Sequence, residues 1–415
     1  MSFVNFENRT KFIWNVAFNY IMKIKDDYIE AFGELDTFSI KEMCERLNTP
    51  EYNNFLLCVD IKKQGSLNLF CYSFTKGGEL DMFSNQNSIY REMRGVVIDV
   101  ENEELVLVPF RKFFNIDQTE EVSWKVFNQQ LKNAKSVEIT NKLDGSMVSC
   151  AYYSGQYMMA GTGSILGGGN FRLNEAHSWL TKNHKDMIKK YPEITFIFEY
   201  ISLKDKHIVE YSEKEQGLYL VGARNIYTGE EWSYSRIQEV AKEYNVLMVK
   251  IEDATFNEIK KQTGKFNSSE KEGWVIYVDG FKYKFKCDDY VKIHEILDKR
   301  SSKNKLIRAI ADGTIDDIIA KIPPVFKKDV LADVEVINNY IKKQMEEIYS
   351  NYNKVKDIES DKEVALTCKK MKMSNKMMGY IFSVRNGKEI NILKNTYGKY
   401  LKAVDIFEKD YYDED

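Results

Sequence analysis

Paired metal-binding cysteines and long apolar runs are both missing from this chain. Its six cysteines, Cys44, Cys58, Cys71, Cys150, Cys287 and Cys368, are scattered without a C-x-x-C pair. That spacing argues against a zinc site and against a disulfide framework, and it fits reduced thiols. The four histidines, His177, His184, His207 and His294, show no metal-ligand spacing either. No apolar run approaches the length of a membrane span, and the opening MSFVNFENRTKFIW has no apolar signal core, so no membrane partner is expected. Charge of one sign is also lacking. The net value is −3 over 415 residues, so any basic surface must be local. No internal repeat is visible. What is present, 43% hydrophobic and 30% charged residues, describes a folded chain of two or three domains rather than a disordered one.

Residues 10–35 read as an amphipathic helix, with Phe12, Ile13, Val16, Ala17, Tyr20 and Ile21 near helical period. From FLLCVDI (55–61) to WVIYVDG (274–280) the pattern is mostly short β-rich runs, among them GVVIDV, ELVLVPF, MVSCAYY, FIFEYIS and LYLVGAR. Helical stretches intervene near 172–190 and 234–245. Beyond about residue 292 the apolar spacing becomes helical, which predicts an α+β body (1–293, with an unassigned extension of about 1–90) and an all-helical domain over 294–415. KIPPVF should interrupt that domain, and DYYDED should end it as a loose acidic tail.

The stretch EITNKLDGSMVSC, residues 138–150, holds the first chemical signal. Alone, Lys142-Leu143-Asp144-Gly145-Ser146 reads most simply as a solvated hairpin turn, because Asp-Gly is a strong turn signal. Three later stretches change that reading. Glu199 lies in TFIFEYIS, an apolar strand where a carboxylate needs a partner or a ligand. Glu272 lies in KEGWVIY. FKYKFK alternates so that Lys282, Lys284 and Lys286 share one face, where three like charges repel unless an anion lies against them. Together these residues suit a lysine nucleophile attacking a triphosphate. Neighbouring cations would lower the Lys142 pKa and neutralise charge developing on phosphate. Carboxylates would hold ribose hydroxyls and a hydrated metal. The product would be a phosphoramide between Lys142 Nζ and a nucleoside monophosphate.

At these residues the chain resembles the covalent nucleotidyltransferases, the superfamily of ligases and capping enzymes, and within it the RNA ligase 1 family of bacteriophages. The resembling stretches are KLDGS, FIFEY, LYLVGARN, EGWV and KYKFK, in the family's order. REMRGVVID and PFRKFFN, which carries Lys112-Phe113-Phe114-Asn115, match upstream, and FEYISLKDKHIVEY extends the match after Glu199. The similarity spans about residues 90–292. It implies an ATP-grasp-like nucleotidyltransferase body of antiparallel sheets with flanking helices. It further implies Lys142 as the adenylated nucleophile, with Asp144 beside it, and Arg94 on phosphate or departing pyrophosphate. Glu199 and Glu272 would serve the metal's waters or the ribose. Lys284 and Lys286 would grip the α-phosphate, and Val221 and Val275 would wall the adenine. Structural readings stand beside these: Asp144 as a turn residue, Val221 and Val275 as core, and Arg224 in a salt bridge. One departure from the family pattern is Thr162 in AGTGSILGGGN, where a basic residue is usual. Gly167-Gly168-Gly169 fits either a flexible loop or a phosphate nest.

The expected activity is ATP-dependent joining of 5′-phosphate and 3′-hydroxyl ends of single-stranded RNA by a monomer, with ATP as AMP donor and Mg²⁺ or Mn²⁺. The resemblance also suggests a phage-encoded protein in a bacterial cytoplasm, with cleaved tRNA as a candidate substrate. A DNA ligase or capping guanylyltransferase shares the chemistry, but those commonly place arginine after K-x-D-G and append an OB-fold. Here Ser146 follows and the C-terminal region reads helical. A catalytically dead RNA-binding relic is the third reading, and the intact lysines and glutamates argue against it. Between Lys369 and Lys402, basic residues are interleaved with Tyr380, Phe382, Tyr397 and Tyr400. That pattern suits either single-stranded RNA or a solvated helical face.

Overall fold

The computed structural model describes residues 59–72, 83, 89–102, 104–298, 302–394 and 398–407. The helix expected over 10–35, Cys44, Cys58, Tyr397 and the acidic end lie outside the described residues. The chain divides into two compact units. One runs to Thr263 and resumes over Lys271–Cys287; the other comprises Gly264–Glu270 and everything from Asp288 onward.

Three antiparallel sheets build the first unit. The first is a meander of β1 (Val59–Gln64), β2 (Leu67–Tyr72), β3 (Arg94–Asp99) and β4 (Glu104–Leu107). Its branched aliphatic residues, including Val96, Val97 and Leu107, are buried in one cluster with Ala151 and Ala160. The second sheet runs β11-β10-β5, from β5 (Val137–Lys142), β10 (Gly273–Val278) and β11 (Phe281–Lys286). The third runs β7-β6-β8-β9, from β6 (Ser146–Tyr153), β7 (Gln156–Ala160), β8 (Ile194–Ile201) and β9 (Gly217–Asn225). Of the eight residues of β8, seven are buried and Glu199 alone is partly exposed.

Helices α1 (Trp124–Asn133), α2 (Phe171–Ser178), α3 (Lys182–Lys190), α4 (Tyr234–Glu243) and α5 (Phe256–Lys260) flank these sheets. On α1, Phe127 lies 4.8 Å ring to ring from Tyr283 and 4.7 Å from Phe256, and Phe256 lies 5.2 Å from Phe285. Strand alternation therefore sends the aromatic residues Tyr283 and Phe285 into this cluster and the lysines of β11 to the opposite face. A hydrophobic anchor behind the strand holds charged groups in front of it.

In the second unit the described elements are helical: α6 (Asp288–Leu297), α7 (Ser302–Ala311), α8 (Ile315–Lys321), α9 (Pro324–Asn353), α10 (Asp361–Lys370) and α11 (Asn375–Arg385), with a final short 3₁₀ turn. KIPPVF interrupts the helices as the two prolines require. α8 stops at Lys321, and Pro324 opens α9, where its missing N–H costs nothing. α9 then runs 30 residues, about 45 Å at 1.5 Å per residue. The unit begins at Asp288 rather than near His294, because α6 follows directly on β11 and buries Tyr290, Ile293 and Ile296. Residues 264–270 join it from the body's sequence, with Ser268 Oγ donating to the Lys321 carbonyl at 3.1 Å.

Candidate active site

The KLDG stretch is not a hairpin turn. β5 ends at Lys142 in the three-stranded sheet, whereas β6 begins at Ser146 in the four-stranded one, so Leu143-Asp144-Gly145 carries the chain between sheets. Two residues of the crossing and the first residue of β6 are tied down. Asp144 Oδ2 accepts from the backbone N–H groups of Ile208 and Val209, both at 2.9 Å, and the Asp144 N–H donates to the Tyr211 hydroxyl at 2.8 Å. The Gly145 N–H donates to Glu199 Oε1 at 3.0 Å, and Ser146 Oγ donates to Asp205 Oδ2 at 2.8 Å. The loop after β8 thus organises the loop that follows Lys142, and Asp144 anchors it.

Register brings the other carboxylate to Lys142. Gly273 stands opposite both Lys142 on β5 and Lys286 on β11. The preceding residue, Glu272, receives Lys142 Nζ on Oε2 at 2.7 Å and Lys286 Nζ on Oε1 at 2.9 Å. Gly273 has φ 149°, and a Cβ there would lie 2.2 Å from the Phe285 carbonyl oxygen, so glycine is required for this approach. Glu272 is 3% exposed. Burial alone would raise its pKa, but Lys142 and Lys286 hold it below the usual carboxylate value.

The same pair reverses one expectation. Burial pulls the Lys142 pKa down, yet Glu272 and then Glu199 outweigh it, and the net shift is upward. Cations do not dominate around this amine; carboxylates do. Lys142 is therefore held as an ammonium, with Glu272 as its nearest counter-charge. Glu199 is the complementary group. Burial, offset in part by Lys142 and reinforced by Glu272 and Asp144, pushes its pKa up to about 7. No cluster of three or more metal-type ligands occurs among the described residues. Two hard oxygen donors, Glu199 and Glu272, nevertheless fit Mg²⁺, which keeps several waters and uses one or two carboxylates plus substrate phosphates.

The three lysines of β11 do share a face, and their counter-charges differ. Lys282 pairs with Glu231 and lies 3.3 Å over the Phe110 ring; burial pushes its pKa down to about 8. Lys286 pairs with Glu272. Lys284 has no carboxylate partner among the described residues. It lies 4.7 Å over Phe113, and burial, then Arg94, Lys142, Lys286 and Lys112, hold its pKa well below the ordinary lysine value. Arg94, at the start of β3, also has a buried Nε without a hydrogen-bond partner. Two cations are thus left facing a cleft of about 620 Å³. Lys142, Glu199, Val221, Val275, Lys284 and Arg94 line it; Glu272, Asp144 and Lys286 brace it from behind. Lys282 stands outside the lining.

Other residues singled out in the sequence fall elsewhere. Arg224 is 1% exposed and bonds Glu92 Oε2 at 2.8 Å and the Pro109 and Gly229 carbonyls, so it is a structural clamp. Lys112 sits among the Tyr72, Phe83 and Phe114 rings. The triple-glycine loop is held by Gln64, whose Nε2 donates to the Leu166 carbonyl at 2.5 Å. Thr162 does line the cleft, as do residues that sequence reading missed: Phe110, Phe113, Val249, Tyr277 and Arg172. Phe113 lay inside the quoted KFFN stretch, and Arg172 comes three residues after Gly169; neither has a spacing that marks it without the fold.

Residues 92–290 match the model of the RNA ligase family of the phage T4 RNA ligase 1 type. The family resemblance carried by the motifs is borne out over that segment. Among curated proteins, a putative bifunctional polynucleotide kinase/RNA ligase of Autographa californica nuclear polyhedrosis virus is 24% identical over 258 residues. That alignment takes in 56% of this chain but 35% of the viral protein, so the chain spans about a third of its relative's length. Among solved structures, a variant of the Naegleria gruberi RNA ligase with ATP and Mn is similar at 18% identity and TM-score 0.35, covering 45% of this chain and 58% of the other. A putative ATP-dependent DNA ligase from Aquifex aeolicus is similar at 14% identity and TM-score 0.43, covering 82% of this chain and all 100% of the other.

Proposed function

We propose that this protein is an ATP-dependent RNA ligase that joins 5′-phosphate to 3′-hydroxyl ends of single-stranded RNA through a lysyl-AMP intermediate. The observation that carries the reading is Lys142 at the seam of two sheets, paired to a buried glutamate and facing a cleft with two cations unmatched by carboxylates among the described residues. The RNA ligase family match over residues 92–290 supports RNA as the substrate. In the first step Lys142 Nζ attacks the α-phosphorus of ATP and pyrophosphate leaves; AMP then passes to the RNA 5′-phosphate, and the 3′-hydroxyl displaces it. Lys284 and Arg94 offset the negative charge that builds on phosphate oxygens, and they act strongly because their surroundings exclude water. Val221 and Val275 line the cleft from two sheets and would exclude water around a flat base. Glu199 and Glu272 would hold a hydrated Mg²⁺ or Mn²⁺, whose charge neutralises the triphosphate. Glu272, if engaged on that metal's waters, would hold Lys142 less tightly. The helical unit serves RNA placement, with cleaved tRNA in a bacterial cytoplasm as the setting that the family resemblance favours.

The test is incubation of the full chain with α-labelled ATP and Mg²⁺, followed by denaturing electrophoresis. A labelled band that acid removes and alkali leaves supports a phosphoramide. Labelling from GTP instead would indicate a capping guanylyltransferase. Absence of label from either nucleotide would leave the inactive RNA-binding reading in its place.

A further inference from the structure

The four-stranded sheet beside the cleft has β9 at one edge and β7 at the other. Three strand spacings separate them, roughly 14 Å at about 4.8 Å each. Val221 stands on β9. At the opposite edge the chain leaves β7 into the turn 161–164, and α2 follows. Residues of both edges line the same cleft. A nucleotide with its base at Val221 and its α-phosphate at Lys142 therefore extends its remaining phosphates toward β7.

A second guanidinium stands there. Arg172, the second residue of α2, gives Nε to Asp205 Oδ2 and Nη2 to Asp205 Oδ1, both at 2.7 Å. The Asp205 side chain is 3% exposed and also receives Ser146 Oγ, four residues after Lys142, so it is a rigid support tied to the nucleophile's loop. Arginine has five N–H donors. The Asp205 pairing uses two on one edge and leaves the Nη1–Nη2 end as a parallel fork, the shape that matches a phosphate. The Arg172 side chain is 42% exposed, so that end is reachable. Arg94 arrives beside the same turn from β3. Gly95, with φ 100°, packs so closely that a Cβ would lie 2.4 Å from the Gly161 carbonyl oxygen.

We infer that Arg172 binds the β- and γ-phosphates of ATP and the pyrophosphate that departs, with Arg94 beside it and Asp205 as its positioning residue. This rests on the ligase reading above. In the step concerned, Lys142 has released its ammonium proton to water. A bond forms from Nζ to the α-phosphorus, the bond from that phosphorus to the bridging oxygen breaks, the electron pair leaves on pyrophosphate, and Nζ gives up its second proton to water. The fork on Arg172 neutralises the departing charge.

The alternative is that Arg172 only neutralises Asp205. The two are separated with the full-length protein by discharging the AMP adduct with inorganic pyrophosphate. Arg172→Ala should raise the half-saturating pyrophosphate concentration tenfold or more, and Arg172→Lys, which keeps charge but loses the fork, by about threefold. Pyrophosphate alone should also raise the melting temperature of the parent protein more than that of Arg172→Ala. Sealing of pre-adenylated RNA, which involves no pyrophosphate, should fall by a smaller factor. An unchanged half-saturation in folded Arg172→Ala overturns the inference, as does a sealing loss as steep as the discharge loss. If the alanine variant does not fold, the lysine variant decides by the same measurement. A parent protein that takes up no AMP would refute the ligase reading itself, whereas an active parent with an indifferent Arg172 refutes this site alone.

Discussion

The lysines of β11 and the lysines where α10 meets α11 carry the same charge in opposite settings. Lys282, Lys284 and Lys286 are buried or half-buried, and among the described residues two of them are matched by a carboxylate while Lys284 is not. Lys369, Lys370, Lys372 and Lys376 are all exposed. Lys372 even adopts φ 55° in the turn that closes α10, where its N–H reaches the Lys369 carbonyl at 2.9 Å. A charge fixed in a dry setting acts on bond-making at one atom, whereas a solvated charge acts over a screened distance and mainly on association. The comparison predicts different failures in the two regions.

The largest loss belongs to the nucleophile itself. Lys142→Ala should abolish AMP labelling, and Lys142→Arg should do the same because arginine stays protonated. Labelling of either at the parent level would sink the assignment.

Within β11 the unmatched lysine should behave unlike its matched neighbour. Lys284→Met should slow adenylation about a hundredfold, about 2.7 kcal/mol of transition-state stabilisation, while the melting temperature rises, because a repelled buried cation is removed. Lys282→Met should do the reverse: a modest loss of stability from an unmatched Glu231 and a smaller loss of rate. Paired melts and adenylation rates check this, and a fall in stability for Lys284→Met would contradict the unmatched-cation account.

In the helical unit, replacing Lys369, Lys370, Lys372 and Lys376 with glutamine should weaken RNA binding and flatten its dependence on salt, since fewer counterions are released. AMP labelling should remain. Binding titrations across a range of salt concentrations provide the slope. Truncation near residue 293 is a poorer test, because it cuts α6 and strips residues 264–270 of their helical partners.

The smallest effect is a pH dependence at Glu199. Its folded pKa of about 7 lies above the unbound carboxylate value of 4.5. Between those values the folded state binds more protons than the unfolded one, so stability falls as pH rises through the window. Glu199→Gln should match the parent near pH 4.5 and exceed it above 7 in metal-free melts. Equal melting curves at both ends would show that Glu199 is not strained by its surroundings.

Much of this was legible in the residues. Short β-rich runs became β3, β4, β6, β8 and β9 at nearly the expected places, because period-two patterning and continuous apolar runs are local properties of the chain. The same holds for α9, whose start Pro324 marks. Glu199 stood out as a carboxylate in an apolar strand, Lys284 and Lys286 as like charges on one strand face, and Lys142 and Glu272 by the motif stretches KLDGS and EGWV. Arg172 and Phe113 did not, since neither interrupts a pattern and their value depends on what faces them.

The amino-acid sequence by itself determined the strands, the helices and which residues have the chemistry for a lysine–nucleotide bond, for these follow from periodicity and side-chain type. Only the tertiary structure decided that KLDG bridges two sheets instead of turning a hairpin, since strand pairing is a long-range choice. It alone decided that Glu272 claims Lys142 and Lys286 while Lys284 is left without a carboxylate, and that Arg224 is a clamp whereas Arg172 faces the cleft. Coulombic attraction and burial depend on distances of a few ångströms between residues more than a hundred positions apart, and folding sets those distances.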